Sequence, residues 1–128
     1  MRHLLFLNRY KFAILIAAVI FYASILKPAQ LPSDISLFAG VDKIVHFLMY
    51  FILALALNFE SGKIIRHNKL LLYCVVLVFP ILYGGLIEIL QANFFPPRTG
   101  EWLDFFANTA GVLFAYFIYH KILKNRLK

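Results

Sequence analysis

Asp42, Lys43 and His46 open one hydrophobic run of this chain, Glu88 and Gln91 close another, and Glu101, Asp104 and Asn108 open a third, with Arg98 between the last two. These residue types carry chemistry. A desolvated Glu or Asp can act as a general base, a histidine held by a carboxylate can shuttle a proton, and an arginine can fork onto a phosphate with a lysine as a nearby point charge. Gln91 and Asn108 can orient a substrate or the acids. Asp42, His46 and Tyr50 recur every fourth residue, Lys43 lies three before the histidine, and Glu88 and Gln91 are three apart. Glu101, Asp104 and Asn108 follow the same rhythm, so each set lines one face of a helix. No residue is an evident nucleophile. Cys74, the only cysteine, rules out an intrachain disulfide and a cysteine zinc cluster.

The elements that must position these residues are hydrophobic. The 128 residues are 62% hydrophobic, 17% aromatic and 15% charged, a composition outside the range of soluble domains. A bilayer core needs roughly 20 apolar residues per helix. Runs at 10–26, 44–59, 70–91 and 102–119 qualify, the second and fourth being short, and predict an all-α, four-helix integral membrane bundle forming one domain over 1–128. The stretch Tyr22-Ala23-Ser24 makes a poor cleavage site, so the first run is expected to stay as a helix rather than be removed as a signal. Between runs one and two, Pro28 and Pro32 block regular helix. Ser33 and Asp34 can cap a short turn through Phe38 that Gly40 ends. Pro80 predicts a bend in the third helix, and Ala107, Gly111 and Ala115 form a small-residue stripe on the fourth that admits a close neighbour.

The formal charge of +7 reflects topology rather than a nucleic-acid partner. Arg2, Arg9 and Lys11, then Lys63, Arg66 and Lys69, then Lys121, Lys124, Arg126 and Lys128 fall at the N-terminus, the middle loop and the tail. The other two connections hold only Lys27, Lys43 and Arg98, together with most of the acids. Short loops rich in Lys and Arg stay cytoplasmic, so both termini are expected inside, in the cell's inner membrane. Trp102, Tyr10, Tyr22 and Tyr119 near the run ends read as interfacial anchors, and His120 with Lys121 and Lys124 as a contact with anionic lipid.

On this topology three helices deliver ionisable groups to the same depth of the outer leaflet. Charged groups within spans cost about 2.5–3.5 kcal/mol on insertion scales and usually face a bundle interior or a wet cavity. Asp42, Lys43 and Glu101 read equally well as solvated boundary residues. His46, Glu88, Asp104 and Asn108, with apolar neighbours on both sides, read as a pocket.

The segments Asp42-Lys43-Ile44-Val45-His46, Glu88-Ile89-Leu90-Gln91, Arg98, and Asp104-Phe105-Phe106-Ala107-Asn108-Thr109-Ala110-Gly111 resemble the VanZ-like membrane protein family in order and spacing. The resemblance covers Asp42 to Gly111. It departs at Ala115, where many members carry a second glycine. It implies a small multi-span membrane protein with His46, Glu88, Gln91, Arg98, Asp104 and Asn108 as signature positions. The family takes its name from a protein associated with low-level resistance to the glycopeptide teicoplanin.

Three functions fit these residues. In the first, an outer-leaflet pocket binds or modifies the head of a membrane lipid or lipid-linked envelope precursor: His46, Glu88 and Asp104 do the chemistry, and Lys43, Gln91, Arg98 and Asn108 hold the substrate. In the second, the polar groups lock the bundle together and the protein acts by partnering another membrane protein. In the third, the carboxylates and histidine serve proton-coupled transport, with a homodimer supplying the missing helices. His46, Glu88 and Asp104 have acceptable types for a metal, but one histidine and no close-spaced ligand motif give no metal or other cofactor as the expectation.

Overall fold

A computed structural model describes residues 8–26, 40–62, 65, 67–96 and 100–126. Among them are four helices and no strand. Helix α1 is Lys11–Ile25, α2 is Val41–Ser61 and α3 runs over Lys69–Phe94. Helix α4 is Trp102–Ile118, continuing through a wide turn at Tyr119–Leu123 into Lys124–Arg126. The expected turn at 33–38, with Pro28 and Pro32, lies outside the described residues, as does Arg98, the expected phosphate ligand.

Two of these helices, α2 and α3, are long and apolar enough to cross a membrane. At about 1.5 Å per residue α2, with 21 residues, reaches roughly 31 Å, matching the ~30 Å hydrocarbon core. Helix α1 has 15 residues and reaches roughly 22 Å by the same measure. The side-chain distribution fits a lipid environment. Leu15, Tyr22, Leu82, Trp102, Phe106 and Phe117 point outward, while His46, Asn58, Glu88, Gln91, Asp104 and Asn108 are buried. Apolar surface this widespread is foreign to a soluble monomer.

Helix α2 is longer at both ends than its apolar run, because its terminal polar groups find partners. Asn58 donates to the Ala54 carbonyl at 2.8 Å. Ser61 donates to the Tyr10 hydroxyl at 3.4 Å. The Glu60 carboxylate accepts the backbone N–H groups of Phe12 and Ala13 at 3.0 and 3.1 Å, so it satisfies amides at the start of α1 that have no intrahelical partner. Tyr10 is therefore buried against α2 rather than an interfacial anchor. Gly40, with φ of 112°, immediately precedes α2, and its carbonyl accepts the Ile44 N–H at 3.1 Å.

Asn68 starts α3 by accepting the Leu71 N–H at 3.0 Å, an ordinary side-chain cap. The irregularity expected from Pro80 takes the form of a π-turn over Cys74–Val78 just before it. Proline lacks an N–H and crowds the carbonyl four residues earlier, Val76 in this helix, and a widened turn relieves that clash.

The core is formed by Leu53, Ala54 and Leu57 of α2, Val76 and Ile87 of α3, and Val112 and Ala115 of α4. Helices α2 and α4 make the most extensive pairing. Gly111 sets their separation: a Cβ there would run into the Phe47 carbonyl oxygen and meet Phe51 N at 3.0 Å. Phe47, Phe51 and Phe114 pack beside this crossing. One turn on, Ala115 is fully buried, so close approach demands a glycine only at 111.

Candidate functional site

Three helices bring six of the expected polar side chains to one end of the bundle. Asp42, Lys43 and His46 project from the first turns of α2, Glu88 from the last turns of α3, and Asp104 and Asn108 from the start of α4. Because α2 crosses α4 so tightly at Gly111, the turns just before that crossing are held close as well. The polar residues of both helices lie in those turns.

His46 is the hub. Its Nδ1 lies 3.0 Å from Asn108 Oδ1, and since an amide oxygen only accepts, Nδ1–H is the donor. Its Nε2 lies 3.7 Å from both Asp104 Oδ2 and Asp42 Oδ1. Glu88 Oε1 approaches Nδ1 at 3.8 Å. The ring is thus surrounded by acceptors on α2, α3 and α4.

Lys43 is committed to carboxylates. Its ammonium lies 2.6 Å from Glu101 Oε2 and 2.8 Å from Asp104 Oδ1, with Asp42 Oδ2 at 3.6 Å. It therefore clamps the rim of α2 to the start of α4 rather than standing free as a phosphate ligand. The Glu101 side chain, 48% exposed, remains at the rim, yet its backbone N–H donates to Glu88 Oε2 at 3.2 Å. Glu101 accordingly belongs to the cluster and is more than a boundary charge. Asp42, His46 and Asp104 also present ligand atoms within 4.8 Å of one another, a spacing compatible with a cation, beside the positive charge that Lys43 already supplies.

The lower part of the cluster leaves polar atoms unsatisfied. Glu88 interacts with His46 and Asn108, but its buried Oε1 closes no hydrogen bond among the described residues. The same is true of Tyr50 Oη. Tyr50 lies one turn below His46 and is 1% exposed. It packs against Gly84, where an added Cβ would meet the Tyr50 ring at 3.1 Å and the Asn108 amide nitrogen at 3.2 Å. Buried polar groups without partners cost about 1–3 kcal/mol each. Each such group calls for an explanation such as strain, a chemical role or a bound water or ion; Asn58 Oδ1 and His120 Nε2, toward the other end of the bundle, also lack a hydrogen bond among the described residues.

Gln91 is not part of this cluster. It faces α1, where its amide donates to the Ser24 carbonyl at 2.7 Å, and Tyr83 similarly bonds the Ala17 carbonyl at 2.7 Å. Its expected substrate contact is replaced by a helix-to-helix bond, which its spacing from Glu88 could not reveal. Arg98 is not among the described residues.

Beside the cluster, between α3 and α4, runs a groove of about 370 Å³. Ile81, Leu82, Gly85, Ile89, Trp102 and Phe105 form its apolar length; Glu88, Asn93 and Glu101 stand at one end. A Cβ on Gly85 would contact the Phe105 ring at 3.3 Å. Gly100 allows the start of α4 to lie against α3, since a Cβ there would collide with the Glu88 carbonyl oxygen. Sequence spacing gave no signal for this groove.

A family model described as VanZ/LLP1 matches residues 4–124 of the chain. No curated protein and no solved structure matches it.

Proposed function

The chain belongs to the VanZ/LLP1 family, and from that premise we propose that it is a multi-pass protein of the cytoplasmic membrane whose polar cluster binds a lipid head. On this reading α1 to α4 are four spans, with both termini cytoplasmic and the cluster in the outer leaflet. The bound head belongs to a lipid or a lipid-linked envelope precursor. Any effect on glycopeptide resistance follows from altering that precursor or its surroundings.

The observation that carries this reading is the convergence of His46, Glu88, Asp104 and Asn108 into a single buried cluster, in which Glu88 Oε1 and Tyr50 Oη close no hydrogen bond among the described residues. A network built only for stability would satisfy such atoms. A site built for a ligand leaves them for it. Glu88 and Asp104 then act as acceptors for head-group hydrogens, and His46 carries a proton between them if a reaction occurs.

A structural role is the second reading, favoured by the Lys43 clamp and by the Gln91 bond to Ser24, which hold helices together. Glu88→Gln and Asp104→Asn separate the two. Under the binding reading both variants insert and accumulate normally, while the lipid profile of the cells, measured by extraction and mass spectrometry, shifts to that of cells lacking the protein. Degradation of both variants, or accumulation with an unchanged lipid profile, rejects it.

A further inference from the structure

The groove between α3 and α4 and the carboxylates at its end are two halves of one site. We infer that its ligand is a bilayer phospholipid with a primary amine in its head: one alkyl chain lies along the groove and the ammonium sits against Glu88 and Glu101. This rests on the head-binding reading above and specifies which head is bound.

The charge of the site decides between head groups. Asp42, Glu88, Glu101 and Asp104 gather around Lys43 and His46, so carboxylates outnumber cations among the described residues. The ammonium of Lys43 is already shared between Asp104 and Glu101 at 2.8 and 2.6 Å. An anionic head would meet this acidic surplus with no free described cation to receive it. An ammonium reverses the situation, since it brings three donors and no acceptor. Glu88 meets that need: it lines the groove, its side chain is 9% exposed, and its Oε2, which accepts the Glu101 N–H at 3.2 Å, has a second lone pair for an ammonium. The exposed Glu101 carboxylate offers further acceptor capacity at the same end.

The apolar half sets the rest of the ligand. Ligand sites of about 300–1,000 Å³ are usually apolar with a few placed polar groups, and this groove, at about 370 Å³, has that make-up. From Ile81 to Glu88 is two helical turns, roughly 10 Å along α3, enough for a length of alkyl chain but not for a folded head. Leu82, Ile89 and Trp102 along it are exposed, so a chain can enter sideways from the surrounding lipid without crossing a polar barrier.

The test uses the full-length protein in detergent, with bound lipid read by native mass spectrometry. Phosphatidylethanolamine is compared with its N-acetylated form, which has the same chains without the positive charge, and with phosphatidylglycerol. Free phosphoethanolamine, which has no chain, is the fourth ligand. Phosphatidylethanolamine is expected to be retained at least about tenfold better than the other three, a difference of about 1.4 kcal/mol. Gly85→Leu and Ile89→Trp narrow the groove without touching the carboxylates, and each should remove that retention. Equal retention of phosphatidylglycerol or the N-acetyl form overturns the amine assignment and leaves head binding standing. Full retention by both groove variants overturns the placement of the chain. If the wild-type protein retains no lipid above the background of empty detergent micelles, or Glu88→Gln retains phosphatidylethanolamine as well as wild type does, the inference and the underlying reading both fail.

Discussion

At the residue scale the cluster is asymmetric: Lys43 is satisfied several times over, whereas Glu88 and Tyr50 each bury an atom that closes no hydrogen bond among the described residues. Removing the lysine should therefore damage stability. Lys43→Met leaves Asp104 buried without its ammonium, and losing a hydrogen bond to a charged group costs about 1.5–3 kcal/mol. Lys43 is 32% exposed, so the lower part of that range is expected as a fall in thermal stability in detergent. Lys43→Met combined with Asp104→Asn should recover part of the loss, because the double variant no longer buries an unpaired charge. A loss from the double variant as large as both single losses together contradicts the clamp. Tyr50→Phe behaves oppositely: deleting a hydroxyl with no partner should leave stability unchanged or raised, while changing lipid retention.

The site was legible in the sequence to the extent that its members share helix faces. His46 and Tyr50 are one turn apart, as are Asp104 and Asn108, and all four lie on inward faces, while Asp42, one turn before His46, stays exposed at the rim. What spacing could not supply was pairing across the chain. Glu101 and Lys43 are separated by 58 positions, so each alone resembled a solvated end charge. Gln91 shared a turn with Glu88, yet the partner that captured it, the Ser24 carbonyl, is a backbone group with no signature in a sequence.

At the element scale the α2–α4 crossing is the geometric constraint on which the cluster depends. Gly111→Ala pushes a methyl into the Phe47 carbonyl. Overpacking costs about 1–3 kcal/mol, occasionally more, and here it also spreads the turns that carry His46 and Asn108. Loss of both thermal stability and lipid retention is expected, whereas Ala110→Leu, on the exposed side of α4, should change neither. Helix α1 depends on Glu60 in a similar way. Glu60→Ala removes acceptors from the Phe12 and Ala13 amides and should speed hydrogen exchange at those positions, costing about 1 kcal/mol. Unaltered exchange there excludes the cap. Helix identities were readable from the apolar runs, but the ends were not. Glu60 and Ser61 look like loop residues until their partners at the start of α1 are known.

At the scale of the whole molecule, apolar side chains cover the described surface as well as filling the core, and lipid is both the proposed solvent and the proposed ligand. The proposed orientation predicts that, in a Cys74→Ala background, an impermeant thiol reagent labels Asn93→Cys in intact cells and labels His67→Cys only after lysis. The reverse pattern places the cluster on the cytoplasmic side.

A specific site must be distinguished from the ring of lipid that surrounds any membrane protein. A phosphatidylethanolamine carrying a photoreactive group on one chain, cross-linked in membranes and mapped by peptide mass spectrometry, does this most directly. Cross-links concentrated on Leu82, Ile89, Trp102 and Phe105, and lost in Glu88→Gln, are the expected result. Cross-links spread evenly over outward residues of α1 such as Phe12, Leu15 and Val19, unchanged by Glu88→Gln, contradict a lipid site at this cluster.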